Sequence, residues 1–273
     1  MMRPIPPELL AQLEDHERWL TTYPQEGKML ELENADFHGV DLSGRTLQDA
    51  VLPGANFDDA VLREVDFTTA NLYQASFARA LLDGACFNKA ECWKASLPEA
   101  SLKNVQGLRV DLVEADLREV DLTNAHLRKA SFGQAKLERA NLSSANLEKA
   151  AFDEANLEHA NLSGANLRHA GLIMAHLDYA ILTGAQVRDI LLCQATGLES
   201  VEAEWIDIGE EGIPERLEGE LAHRWLREMA AQPLPEGWAT SAELRQLAEE
   251  IQAEIRAEKS NDPTDSAGAT GST

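Results

Sequence analysis

Alanine returns at every fifth residue through the middle of this chain, with leucine or phenylalanine two places after it. Residues 145–170 read ANLEKAAFDEANLEHANLSGANLRHA. A period of five excludes the two common ways of burying such residues. On an α-helix each five-residue step turns about 140° beyond a full turn, which smears the leucines around the cylinder. On a flat strand, side chains alternate with period two, so leucines five apart point to opposite sides. The pattern makes sense only if the backbone turns a corner after each unit and sends every alanine and leucine into one shared interior. Four such sides close a square coil, and residues twenty apart then stack on one face.

With the Leu/Phe position as the centre, the register runs from Phe37 to Gly197 as 33 consecutive units. Leucine fills 22 centres and phenylalanine seven; Cys92, Gly107, Val187 and Gly197 are the exceptions. Two places before the centre, alanine occupies 26 positions and valine five, leaving Arg45 and Ile190. Arg45 and the empty centre at Gly107 are therefore the expected irregularities. Aromatic residues make up only 5% of the chain, which suits a narrow interior.

The units ADLRE, ANLSS, ANLEH and ANLSG match the A(D/N)LXX motif, and over residues 30–199 the chain resembles the pentapeptide repeat family. The resemblance implies an all-β solenoid, a right-handed quadrilateral β-helix with the centre and small residue inward and the other three outward. About eight coils at a strand spacing of ~4.8 Å would make a rod near ~40 Å long.

Open solenoid ends invite edge-to-edge association, and the flanks read as short α-helical covers. Residues 1–29 form an N-terminal cap: Pro6 and Pro7 open a helix through Thr22 with Leu9, Leu13, His16 and Leu20 along one face. Residues 200–259 form a C-terminal helical region. Leu217, Leu221, Trp225 and Met229 mark one helix there. Another begins at Thr240 with a capping box ending at Glu243, and carries Leu244, Leu247, Ile251 and Ile255 on one stripe. Residues 260–273, SNDPTDSAGATGST, have a disordered composition.

Stacking at twenty-residue intervals turns the outward residues into columns of distinct chemistry. The face centred on Phe37 carries Asp58, Asp59, Glu99, Glu119, Glu138, Glu158 and Asp178. The next becomes rich in Ser, Thr, Asn and Gly. The face centred on Leu47 displays Lys89, Arg109, Arg128, Lys129, Lys149, Arg168 and Arg188. The fourth points Tyr73, Trp93, Val113, Ile173 and Met174 outward, a column expected to be covered by a flanking helix or a second copy, with Trp225, Leu244, Leu247 and Ile251 as further packing candidates.

The formal net charge of −23 disfavours direct contact with nucleic acid or an anionic membrane. Residues 30–197 hold 24 acids and 15 bases, whereas residues 198–273 hold 18 acids and six bases, so more than half the excess lies outside the repeat. Cys86, Cys92 and Cys193 show no paired spacing, no apolar signal core opens the chain, and no run of 18 apolar residues occurs, so a reducing, cytoplasmic setting is expected. The seven histidines occur singly, and His159 and His169, ten apart, fall on opposite faces. No HExxH, GxSxG or phosphate-loop motif accompanies them, so neither catalysis nor a cofactor or metal is expected.

Two functions stay open. One is a non-enzymatic interaction scaffold with protein partners bound to unlike faces. The other follows from the resemblance: its topoisomerase-protecting, quinolone-resistance members bind as dimers in the DNA saddle of gyrase by imitating duplex DNA. For this chain that implies DNA gyrase or topoisomerase IV as partner and a homodimer. The acidic column favours it; the basic column and the charge outside the repeat count against it.

Overall fold

The computed structural model describes residues 3–22, 25–210 and 213–234. Its body is a four-sided parallel coil. Bridges join residues twenty apart in unbroken succession from Glu31–Val51 to His176–Thr196. Pairing thus starts one unit before Phe37, with Leu32 in the first centre.

A unit that follows the motif can use all five of its backbone N–H groups, and this fixes the shape. For the unit around Phe57, the Phe57 N–H donates up the coil to Ser76 O at 2.6 Å, Asp59 N–H to Ala78 O at 2.9 Å, and Asn56 N–H down the coil to Ala35 O at 2.8 Å. Ala60 N–H closes the corner onto Phe57 O at 3.1 Å. The fifth donor, Asp58 N–H, is taken by Asn56 Oδ1 at 3.0 Å. The same side-chain bond recurs from Asp41 to Ser43, Asn71 to Tyr73, Asp121 to Thr123 and Asn161 to Ser163. It explains the Asp/Asn of the motif: a short side-chain acceptor satisfies a turn N–H that no rung can reach. The third corner residue adopts positive φ, whether glycine, as at Gly84, or a side chain as long as Lys129.

The interior is filled by the centres and the small residues. Phe37, Phe57 and Phe77 stack at 4.6 and 4.8 Å between ring centroids, Phe67 lies over Phe87, and Phe132 over Phe152. Cys92 sits in a buried centre, and burial, with Asp111 and Glu91 nearby, pushes its thiol well above the ordinary value. At Gly107 the missing side chain leaves a narrow apolar cavity of about 10 Å³, because Leu127 leans in: a Cβ on Gly107 would lie 2.7 Å from Leu127 Cδ2.

Arg45, at a position that elsewhere takes Ala, Val or Ile, does not enter the core. It lies on the first coil, where no lower coil closes the side, and its guanidinium reaches Glu17 of helix α1 (Pro7–Thr22) at 3.0 Å. Helix α1 buries Leu13 and His16 against this end, while Leu9 and Leu20 are half-buried. The Leu30 N–H donates to His16 Nδ1 at 3.0 Å. Arg3 adds a bridge to Val40, covering part of the exposed edge.

The far end departs from the sequence expectation. Gly197 is not a buried centre: it takes φ +79°, a Cβ there would sit 2.3 Å from Asp178 N, and Leu198 fills the interior instead. One extra residue enters here, and bridging continues with an offset of 21, Ile181 to Glu202 and Gln186 to Asp207. Strand β1 (Trp205–Asp207) then pairs antiparallel with β2 (Arg216–Glu218). Leu217, expected in a helix, lies in β2; helix α2 is Glu220–Ala230, with Leu221 61% exposed. Its buried residues are Ala222 and Leu226, flanked by the partly buried Trp225 and Met229. The helix expected from Thr240, with Leu244, Leu247, Ile251 and Ile255, and the tail 260–273 lie outside the described residues.

Candidate protein-binding faces

The acidic column is less uniform than its carboxylates suggest. Between them stand Arg79, Arg118, Lys136 and Arg139. Arg79 pairs with Asp59 at 2.6 Å, Arg118 with Asp116 at 2.5 Å and Arg139 with Glu119 at 3.6 Å. The Arg79 guanidinium holds the Asp59 carboxyl below its ordinary range, and Arg118 does the same for Asp116. Glu99, Glu119 and Glu158 are exposed; Asp58, Glu138 and Asp178 are half-buried.

Asp58 and Glu138 hold the coil itself. Asp58 Oδ1 accepts from the Ala78 N–H at 2.8 Å and from the Ser76 hydroxyl. Glu138 Oε1 accepts from Asn156 at 2.9 Å. Serine occupies the motif's Asp/Asn position at Ser76, so the acceptor for the turn N–H comes from the coil below. Asp83 takes the same role for Ser101 and Lys103, Asn88 for Leu108, and Asp153 for Ile173. At Asp153 the serine is replaced by Gly171, and burial raises the Asp153 carboxyl above its ordinary value. Composition alone does not distinguish these structural acids from free ones; the missing Asp/Asn eighteen residues later is the signal.

The basic column divides into two parts. At its upper end Arg188 pairs with Asp189 and with Glu210 at 3.3 Å each, Arg168 donates to the Gly209 carbonyl, and Lys149 pairs with Glu148 at 3.5 Å. Below them Lys89, Arg109, Arg128 and Lys129 are exposed and form no ion pair among the described residues.

The apolar column is also divided. The Tyr73 and Trp93 rings lie 5.3 Å apart and half-buried, Trp93 Nε1 donates to Glu114 at 3.0 Å, and the Lys94 ammonium sits over the indole. Val113 and Met174 are half-buried, whereas Ile173 is only 2% exposed. One rung above Ile173, the Gln194 N–H donates to the Ala230 carbonyl at the end of α2. Gly133 and Asp153 interrupt the column between its two ends. No group of three or more His, Cys, Asp or Glu among the described residues could hold a metal ion, and no described helix is long and apolar enough to cross a membrane.

Family patterns match two stretches of this coil, residues 35–74 as pentapeptide repeats in eight copies and residues 109–182 as a pentapeptide repeat region. These two stretches are pentapeptide repeats. Proteins of this kind are right-handed β-helices that generally serve as structural or interaction proteins. The crystal structure of HetL, a pentapeptide repeat protein involved in heterocyst differentiation regulation from the cyanobacterium Nostoc sp. strain PCC 7120, is 24% identical. It aligns with 72% of this chain and 97% of its own at a TM-score of 0.53, which shows the shared fold. QnrB1, a plasmid-mediated fluoroquinolone resistance protein, is 17% identical over 64% of this chain and 92% of its own, with a TM-score of 0.47. No curated protein matches this chain significantly.

Proposed function

We propose that this protein is a non-enzymatic rod that binds other proteins through its outer faces, an interaction scaffold. The observation that supports it most is the division of labour within each unit. Two residues are committed to a filled interior, while the outward residues vary and give neighbouring faces unlike charge. Such a surface presents chemistry in columns and leaves the interior to stability. The free thiols Cys86, Cys92 and Cys193 suit a reducing compartment, and the cytoplasm is proposed on that ground. A photo-cross-linking residue placed at Thr123, Lys129, Gln134 or Glu119, one per face, tests the scaffold in cells. Cross-links to defined proteins concentrated on one or two faces are expected. An equal, weak background on all four would overturn it.

A second function, imitation of DNA toward gyrase or topoisomerase IV, draws support from Glu99, Glu119 and Glu158, exposed along one column. The paired Arg79 and Arg139 in that column weigh against it. Supercoiling by purified gyrase, with and without a fluoroquinolone, should show inhibition or rescue if it holds, and sedimentation should show the dimer. The absence of both effects at high protein concentration removes it.

A further inference from the structure

Lys89, Arg109 and Lys129 occupy the same left-handed corner position of three successive rungs, with φ of 58°, 59° and 62°. Their side chains leave the coil one rung apart, about 4.8 Å. Arg128 stands beside Lys129. All four form no ion pair among the described residues of a chain with 47 acids against 24 bases, while Arg45, Arg79, Arg118, Arg139 and Arg188 each hold a carboxylate. Glu91 and Asp111 begin the adjoining side but make no ion pair with them, and Asp111 Oδ1 is engaged by the Val113 N–H.

The middle rung reverses the rule of the repeat. Its centre is Gly107, and the leucine comes one residue late: Leu108 points outward and is 40% exposed. It is held there, with its N–H bonded to Asn88 Oδ1 at 2.8 Å. The coil thereby forgoes a buried leucine, worth about 1.5–3 kcal/mol, and leaves a small void beneath. An apolar side chain fixed among unpaired cations is arranged for a ligand with both characters.

We propose that this face docks an acidic amphipathic α-helix of a partner protein. A helix lying along the rod presents side chains at i, i+3/i+4 and i+7 with a pitch of about 5.4 Å, close to the rung spacing, so successive carboxylates meet Lys89, Arg109 and Lys129. An apolar residue of the same stripe covers Leu108. An extended strand repeats a side at about 6.7 Å and falls out of step within two rungs. Duplex nucleic acid offers no partner for Leu108 and is repelled by the net charge of −23. The inference deepens the scaffold function, from which it takes only that the partner is a protein.

The test uses the full chain and a fluorescent peptide of about eighteen residues, long enough to hold a helix, with Glu and Leu on one stripe. Controls are the same composition scrambled and a DNA duplex. The striped peptide should bind in a salt-sensitive way. Arg109→Glu and Leu108→Ser should each weaken it about tenfold, and Lys136→Glu, the same charge change on the opposite face, by less than about twofold. Equal loss from Lys136→Glu, equal binding of the scrambled peptide, or binding of DNA in its place would overturn the proposal. These outcomes are independent of cross-linking: face-specific cross-links without peptide binding would retain the scaffold and sink this site.

Discussion

Asp58 reaches one full coil along the chain: its Oδ1 accepts the Ala78 N–H at 2.8 Å, replacing the Asp/Asn side chain that Ser76 does not supply. Asp58→Ala should therefore lower unfolding free energy by about 1–3 kcal/mol, because the turn N–H loses its acceptor. Asp58→Asn keeps the acceptor and should cost much less, and Glu99→Ala, an exposed acid of the same column, should stay within about 0.5 kcal/mol. Urea denaturation of the three variants gives the comparison. Similar losses at Asp58→Ala and Glu99→Ala would show that the bond does not hold the coil.

Asp153 makes the same reach to Ile173 but meets Gly171 where Asp58 and Asp83 meet serine hydroxyls. Gly171→Ser should supply the missing donor and restrict the unfolded chain, raising stability by about 1 kcal/mol. A Cβ there lies 3.1 Å from Asp153 Oδ1, so the carboxylate must give by a few tenths of an ångström. A lower melting temperature would mean that it cannot.

Gly107 and Leu127 share one volume. Gly107→Leu alone should overpack the coil and cost about 1–3 kcal/mol. Combined with Leu127→Ala it should recover a large part of that loss, since the new side chain occupies the space Leu127 vacates. Double-mutant analysis of melting reads the coupling; simple additivity would contradict the shared volume.

His16 of α1 is fully buried, and burial lowers its pKa from the ordinary 6.5, with the Gln48 backbone, Asp49 and Glu17 pulling the other way. A folded-state pKa below the unfolded one means that the unfolded chain takes up the proton first. The stability associated with neutral His16 is thus complete above about pH 6.5 and is lost as pH falls below it toward the folded value. Melting temperatures at pH 7.5 and 5.5 should differ more for the native chain than for His16→Gln. An equal difference would remove His16 as the source.

The coil was legible because its period is long, unbroken and incompatible with a helix or flat strand; 33 units leave one geometry. The faces followed from stacking at twenty residues, but their charge did not follow from acids alone, because Arg79, Arg118 and Arg139 share the acidic column. The structural duty of Asp58 is not legible at residue 58 itself, because it depends on what stands at residue 76. Beyond Gly197 the signal fails for a different reason. A single inserted residue and a hairpin of three-residue strands have no period to detect, so Leu217 looked helical while it pairs with Ile206.

Because each coil bonds only to the coils above and below it, length and azimuth are separate properties of the rod. Removing twenty consecutive residues from a regular stretch would shorten it and keep every later column in line. Removing five would swing everything downstream through a quarter turn, bringing an apolar run over a basic one. Whatever binds across several rungs is therefore matched to a rotational phase that whole-coil loss or duplication leaves untouched.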